Sequence, residues 1–195
     1  MEKKRVIVAI TGASGSIYAK RLLDKLSNLE SQISEIALIF SETGWQVYEY
    51  EVGKDIPDSK LIRTFSNNSF FAPVASGSAG YDAMTIIPCT AGTMGRIANG
   101  TSNDLIARSA DVMLKERRPL VMVLRESPYN LIHIDNMRKV TLAGGIVFPA
   151  SPSFYSKPES INALVDTVVD RVIAMLGLSI ESYKWGEENK GVTGK

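Results

Sequence analysis

Residues 8–23 read VAITGASGSIYAKRLL. The apolar run Val6–Ile10 enters a turn of small residues, Thr11-Gly12-Ala13-Ser14-Gly15. Ala19, Leu22, Leu23 and Leu26 then share one face at helical spacing. A strand that feeds a glycine turn that feeds a helix is how α/β proteins hold phosphate. The stretch predicts strand Val6–Thr11 followed by helix 16–26, the first unit of a parallel sheet. It also raises the question of which phosphate compound is held.

The rest of the chain repeats the alternation. Residues 35–40 (EIALIF), 83–89, 119–124 and 145–150 read as strands. Residues 42–53 read as a helix, with Trp45, Tyr48 and Val52 on one face and Gly53 as its stop. A short helix follows the second small-residue turn, in TAGTMGRIANG. Residues 103–116 read as a helix with Asn103 or Asp104 near its cap. Residues 131–144 are helical and stop at glycine, and residues 161–176 keep an apolar stripe for four turns. Residues 54–80 match no period, and FAPVASGSAG within them reads as an ordered loop or a flap. The pattern predicts an α/β fold with a parallel sheet covered on both faces. One domain is expected over 1–195, with 186–195 a polar, fraying tail.

The totals bound the function. The 195 residues suffice for a real core, and 45% hydrophobic with 22% charged residues is ordinary for a globular protein. A net charge of +1 gives no global field for nucleic acid or anionic membrane. The single cysteine, Cys89, forbids an intrachain disulfide and fits a reducing compartment. The apolar run after the basic start is too short for a signal peptide. No stretch nears the roughly 18 apolar residues of a membrane helix. A cytoplasmic protein is expected.

In open parallel sheets, ligands bind beyond the carboxyl ends of the strands. Those ends carry TGASG, SETG, PCTAGT, RESP and PASPSFY. A nicotinamide reading fails there twice. Gly12 and Gly15 do not make G-x-G-x-x-G, and Ser41 stands where a ribose-binding carboxylate is needed. Ser14, Ser41, Thr90 and Thr93 look instead like a mononucleotide cradle. Each alone would be a turn or helix cap, but four on the strand ends of one sheet point to a ligand. Cys89 reads as a small buried side chain, and His133 as a packed histidine. No cluster of metal ligands appears.

LKERRPLVMVLRESP is the second informative stretch. Lys115, Arg117 and Arg118 precede a strand, and Arg125 and Glu126 follow it. Helix C-terminal charge explains Arg117 or Arg118 but not Arg125. At the ligand edge, Arg125 offers a planar fork for phosphate or a flavin carbonyl. Glu126 is a general acid or base, or an orienting partner for the cations. Tyr155 follows the last strand, where its hydroxyl reaches a phosphate or packs under the loop. Arg171 borders the apolar stripe of the last helix.

Taken together, TGASG, PCTAGT, DVMLKERRPLVMVLRESP, HIDNM and PASPSFYSKP resemble the UbiX flavin prenyltransferases, from about Val6 to Trp185. The resemblance implies a single-domain, Rossmann- or flavodoxin-like three-layer α/β fold that forms a homo-oligomer, often a dodecamer, with active sites between subunits. It implies reduced FMN and dimethylallyl phosphate as substrates, joined at flavin N5 and C6 without metal. The product, prenylated FMN, would serve a UbiD-type decarboxylase. By the same resemblance, Gly12, Ala13, Ser14, Ser41, Thr90, Ala91, Gly92, Thr93 and Arg125 fall on FMN positions. Lys115, Glu126, Tyr155 and Arg171 fall on prenyl-phosphate positions, with Arg125 beside them and Ser14 near both. Glu51 matches a catalytic glutamate, and Ser14, Lys115 and Glu126 join it as catalytic candidates. Arg108 and Trp185 match a supporting arginine and an aromatic at the prenyl pocket. Thr90 stands where Ser is usual, and Ser127 where Ala or Thr is common. The residues agree with this reading: no D-D-x-x-D motif is present for Mg²⁺, so Lys115, Arg125 and Arg171 must stabilise the leaving phosphate. An FMN-dependent decarboxylase and a non-catalytic flavin carrier are the alternatives.

Overall fold

The computed structural model describes residues 2–183. Among the described residues, six strands form one sheet: β1 (Lys4–Ile10), β2 (Ile33–Phe40), β3 (Ile62–Ser66), β4 (Ala83–Cys89), β5 (Leu120–Leu124) and β6 (Ile146–Pro149). Their order is β3-β2-β1-β4-β5-β6, and every neighbouring pair is parallel. This is the doubly wound order, and the chain reverses direction between β1 and β4. β1 therefore pairs on both sides, Val6 with Ile36 of β2 and with Ala83 of β4.

Both faces are covered, which is why β1, β4 and β5 read as continuous apolar runs rather than alternating ones. Val6, Val8 and Ile10 face a core shared with α1 (Ser16–Ser27) and α6 (Ile161–Met175). Ile7 and Ala9 face the opposite core, made with α3 (Ala91–Ala98), α4 (Leu105–Lys115) and Val140 of α5 (Leu131–Leu142). Leu22, Leu23, Val169 and Val172 are fully buried, so the two amphipathic stripes seen in the sequence pack on one side of the sheet. Each such side chain stabilises by about 1.5–3 kcal/mol on burial.

Four details refine or correct the expectation. β1 and β2 begin two residues earlier than their apolar runs suggest, because Lys4 pairs with Ile33, which is itself buried in the core. β3 lies within residues 54–80, which match no period; it is a short edge strand without an apolar run. Residues 71–80 fold into two 3₁₀ turns, Pro73–Ala75 and Gly77–Ala79, anchored by buried Ala72 and Val74. His133 is not packed in the core. It is half-buried in a capping box at the start of α5, where its Nδ1 accepts from the Asn130 N–H and the Asn130 side chain accepts from its own. Among the described residues, no helix is long and apolar enough to cross a membrane.

Candidate active site

The carboxyl ends of the strands are tied into one rim. The Ser41 N–H donates to Ile10 O, the Thr11 hydroxyl to Pro88 O, the Arg125 N–H to Cys89 O and the Ala150 N–H to Leu124 O. Thr11 Oγ1 also accepts from the Thr90 N–H at 2.9 Å. Ser41, Thr90 and Arg125 thus share one edge, as their places after apolar runs predict.

Three helices begin on this rim: α1, α3 and α2 (Glu42–Val52). Ser41 caps α2 by accepting from the Gly44 N–H at 2.9 Å, and Thr90 caps α3 by accepting from the Thr93 N–H at 3.0 Å. Ala91 and Gly92 open α3, and their amides have no partner among the described residues. A Cβ built on Gly92 meets nothing within 4 Å, so the space before this helix is open.

The start of α1 is different. Gly15, at φ 108, turns the chain, and the Gly15 and Ser16 amides donate to Glu51 Oε2 at 2.9 and 2.7 Å. Burial pushes the Glu51 carboxyl up, but hydrogen bonds from the Ser14 hydroxyl and from the Ser16 and Gly15 amides outweigh it. The net shift is downward. The TGASG turn therefore holds an anion belonging to the chain itself. Glu51 reaches it because α2 lies across the start of α1. An added Cβ at Gly44 would stand 2.3 Å from Ile10 O, and one at Gly12 would stand 2.6 Å from Thr43 Oγ1. Both glycines permit that close crossing; neither Gly44 nor Thr43 stood out in the sequence.

Glu126 follows Arg125 on the rim and is half-buried, its Oε1 accepting from the Ser127 N–H. Tyr155 and Arg171 line a separate groove of about 810 Å³ along α6, with Phe148, Ser151, Asp166 and Asp170. The groove carboxylates are tied to α1: Arg21 grips Asp166 with two hydrogen bonds, and Lys25 bridges Asp166 and Asp170. Burial raises the Asp166 carboxyl, yet Arg21 and Lys25 bring it below the ordinary range.

Arg108 and Lys115 are not on the rim. Both project from α4. Arg108 Nε donates to Ala75 O, and Lys115 Nζ sits 2.5 Å from Glu116 Oε1. Lys115 ends α4 at the amino edge of β5, while Arg125 follows its carboxyl edge. A five-residue strand of about 16 Å separates the two edges. One chain alone does not bring Lys115 to Arg125. Trp185 lies outside the described residues.

Cys89 is fully buried, and burial pushes its thiol up to about 12; it is core, not nucleophile. Among the described residues, no three His, Cys, Asp or Glu side chains gather as metal ligands. Arg96, missed in the sequence, links Thr93 Oγ1 to Asp104, the N-cap of α4. Its signal was spacing: Arg96 follows Thr93 by three residues, on the same helical face.

A doubly wound sheet with hydroxyl-capped helix starts at its reversal point defines an α/β protein that takes its ligand at the strand ends. The family model described as Flavoprotein matches residues 1–173. The flavin prenyltransferase UbiX of Methanocaldococcus jannaschii is 43% identical over 93% of this chain and 98% of its own. The structure of AnUbiX in complex with FMN and dimethylallyl pyrophosphate superposes with TM-score 0.83 at 36% identity, covering 94% of this chain and 98% of that one. A dodecameric FMN-dependent UbiX-like decarboxylase from Escherichia coli O157:H7 gives TM-score 0.83 at 33% identity, over 92% and 98% of the two chains. The chain belongs to the UbiX flavin prenyltransferases, a family of transferase enzymes within the flavoproteins.

Proposed function

We propose that this chain transfers a dimethylallyl group from dimethylallyl phosphate to N5 and C6 of reduced FMN. The observation that carries the reading is the rim itself: the open, Thr90-capped start of α3 at the reversal point of the sheet, with the Ser41-capped start of α2 and Arg125 on the same edge. The space at Gly92 and the unpartnered Ala91 and Gly92 amides fit a flavin phosphate. Gly12, Ala13 and Ser14 would border the ring system, with Arg125 toward its carbonyls. This is one FMN-binding domain, and the single buried thiol fits a cytoplasmic setting.

When bound, reduced FMN supplies the nucleophilic nitrogen and carbon. The chain's part is charge and orientation. Negative charge grows on the phosphate as the allylic C–O bond breaks. Lys115, Arg125 and Arg171 stabilise it without metal, and the Tyr155 hydroxyl donates to it. Arg108 supports Lys115, and Trp185 would face the cationic allyl fragment, an attraction worth roughly 0.5–2 kcal/mol. Glu51, hydrogen-bonded by Ser14, and Glu126 are the groups that hold or move the protons of ring closure.

Because Lys115 and Arg125 are separated in one chain, this reading requires another copy to bring its α4 to the rim. Exposed Leu131, Ile132, Ile134 and Leu142 on α5, with Phe71 fully exposed, supply apolar surface for such an assembly. A homo-oligomer, dodecameric like the E. coli relative, follows. The product would pass to a UbiD-type decarboxylase.

The test is to incubate the protein with reduced FMN and dimethylallyl phosphate, without metal and without oxygen, and to weigh the flavin. A mass gain of one dimethylallyl group supports the reading, and an unchanged mass rejects it. Running dimethylallyl pyrophosphate in parallel identifies the donor. Lys115→Ala should weaken donor use more than FMN binding. Co-expression of Lys115→Ala with Arg125→Ala chains should regain part of the activity each lacks; no regain would place both residues' roles within one chain.

A further inference from the structure

The hydroxyls at the start of α3 are not equivalent. A hydroxyl has one proton to donate and two lone pairs to accept with. Thr90 Oγ1 accepts from the Thr93 N–H and donates its proton to Thr93 Oγ1 at 2.9 Å. Thr93 Oγ1 also accepts from Arg96 Nη2 at 3.4 Å. Both lone pairs of Thr93 are then used. Its own proton has no acceptor among the described residues, although Thr93 is only 4% exposed. Ser41, by contrast, lies 3.4 Å from Thr43 Oγ1 with either atom able to donate, so its proton is not directed.

Arg96 is itself held by Asp104, whose Oδ2 lies 3.0 Å from Nη2, while Nε is buried without a partner among the described residues. The guanidinium cannot turn away from Thr93 without losing that ion pair. It also places a fixed positive charge behind the helix start where the reading above puts a phosphate.

We propose that Arg96 is a positioning residue: it forces the Thr93 hydroxyl to act only as a donor, toward a phosphate oxygen of the flavin, and so sets the preference for FMN over riboflavin. The proposal rests on the FMN reading of this rim. Binding at this helix start would be phosphate-selective because a directed donor backed by a cation rewards an anionic acceptor and does little for a neutral ribityl hydroxyl.

Flavin fluorescence quenching on the intact protein tests this, by the ratio of riboflavin to FMN dissociation constants. Arg96→Met and Thr93→Val should each lower that preference about tenfold, the scale of one charge-assisted hydrogen bond. Riboflavin binding should hardly change. The double variant should lose no more than Thr93→Val alone, because Arg96 acts through Thr93. Arg96→Lys should restore part of the preference. Asp104→Asn keeps an N-cap for α4 but removes the oxygen that holds Arg96, and should lower the preference in part. Equal weakening of both flavins by Arg96→Met, additive losses, or a preference untouched by Asp104→Asn would each overturn the assignment, leaving Arg96 a clamp between helices. If the unaltered protein binds neither flavin, or both alike, it is the FMN reading that fails, and this assignment with it.

Discussion

The starts of α1 and α3 look alike in sequence and differ in charge. Each follows a central strand, and each opens with small residues and a hydroxyl, TGASG in one case and PCTAGT in the other. In the fold, the α1 amides are taken by Glu51, whereas the first amides of α3 face open space. A helix start attracts an anion, because its unpaired N–H groups and dipole both favour negative charge. Whether that anion is a side chain or a ligand depends on what the fold lays across it. Here α2 delivers its own carboxylate to one start and leaves the other bare. A glycine turn after a strand is therefore evidence for an anion, not for a phosphate.

The comparison can be broken most severely at Glu51. Glu51→Gln keeps the shape and removes the charge. It should slow prenyl transfer by about 10²–10⁴-fold, the range for a lost acid–base group, with FMN affinity nearly unchanged. A parallel collapse of FMN affinity would make Glu51 a scaffold. Next in size is Gly44→Ala, which pushes α2 off Ile10 O. It should cost about 1–3 kcal/mol by overpacking and loosen Glu51 from α1, measured by denaturant melting. Thr90→Ala should cost about 1 kcal/mol through the lost cap of α3 and weaken FMN as well. Ser14 caps no helix but donates to Glu51, so Ser14→Ala should cost about 0.5–1 kcal/mol.

The smallest effect is in pH. The Glu51 carboxyl is lower in the fold than its ordinary 4.5, so its stabilising share is complete above 4.5 and disappears as pH falls through the folded value. The melting-temperature gap between wild type and Glu51→Gln should be widest near neutral pH and close below 4.5. A gap that stays constant to pH 3 would remove the charge from the explanation.

Much of the fold was legible because burial leaves a period. The stripe of α6 and the runs of β1, β4 and β5 are the direct imprint of two cores. β3 was not legible: IRTFS is half-exposed at the sheet edge, and only its pairing with β2 makes it a strand. The rim was legible residue by residue, since Ser41, Thr90 and Arg125 each end an apolar run. The partnership of Glu51 with Gly15 was not, because it depends on the angle at which α2 crosses. Nor was the separation of Lys115 from Arg125. Ten positions apart in sequence, they stand at opposite ends of β5.

The ion-pair lattice between α1 and α6 has a bearing on the groove beside it. Asp166 and Asp170 form part of the groove wall next to Tyr155 and Arg171. Bare, they would repel any polyanion approaching that wall. Arg21 and Lys25 reach across from a neighbouring helix and discharge them, which leaves Arg171 to give the wall its sign. The charge that this groove presents to the proposed phosphorylated guest is thus set partly from α1, by cations that need never touch the guest.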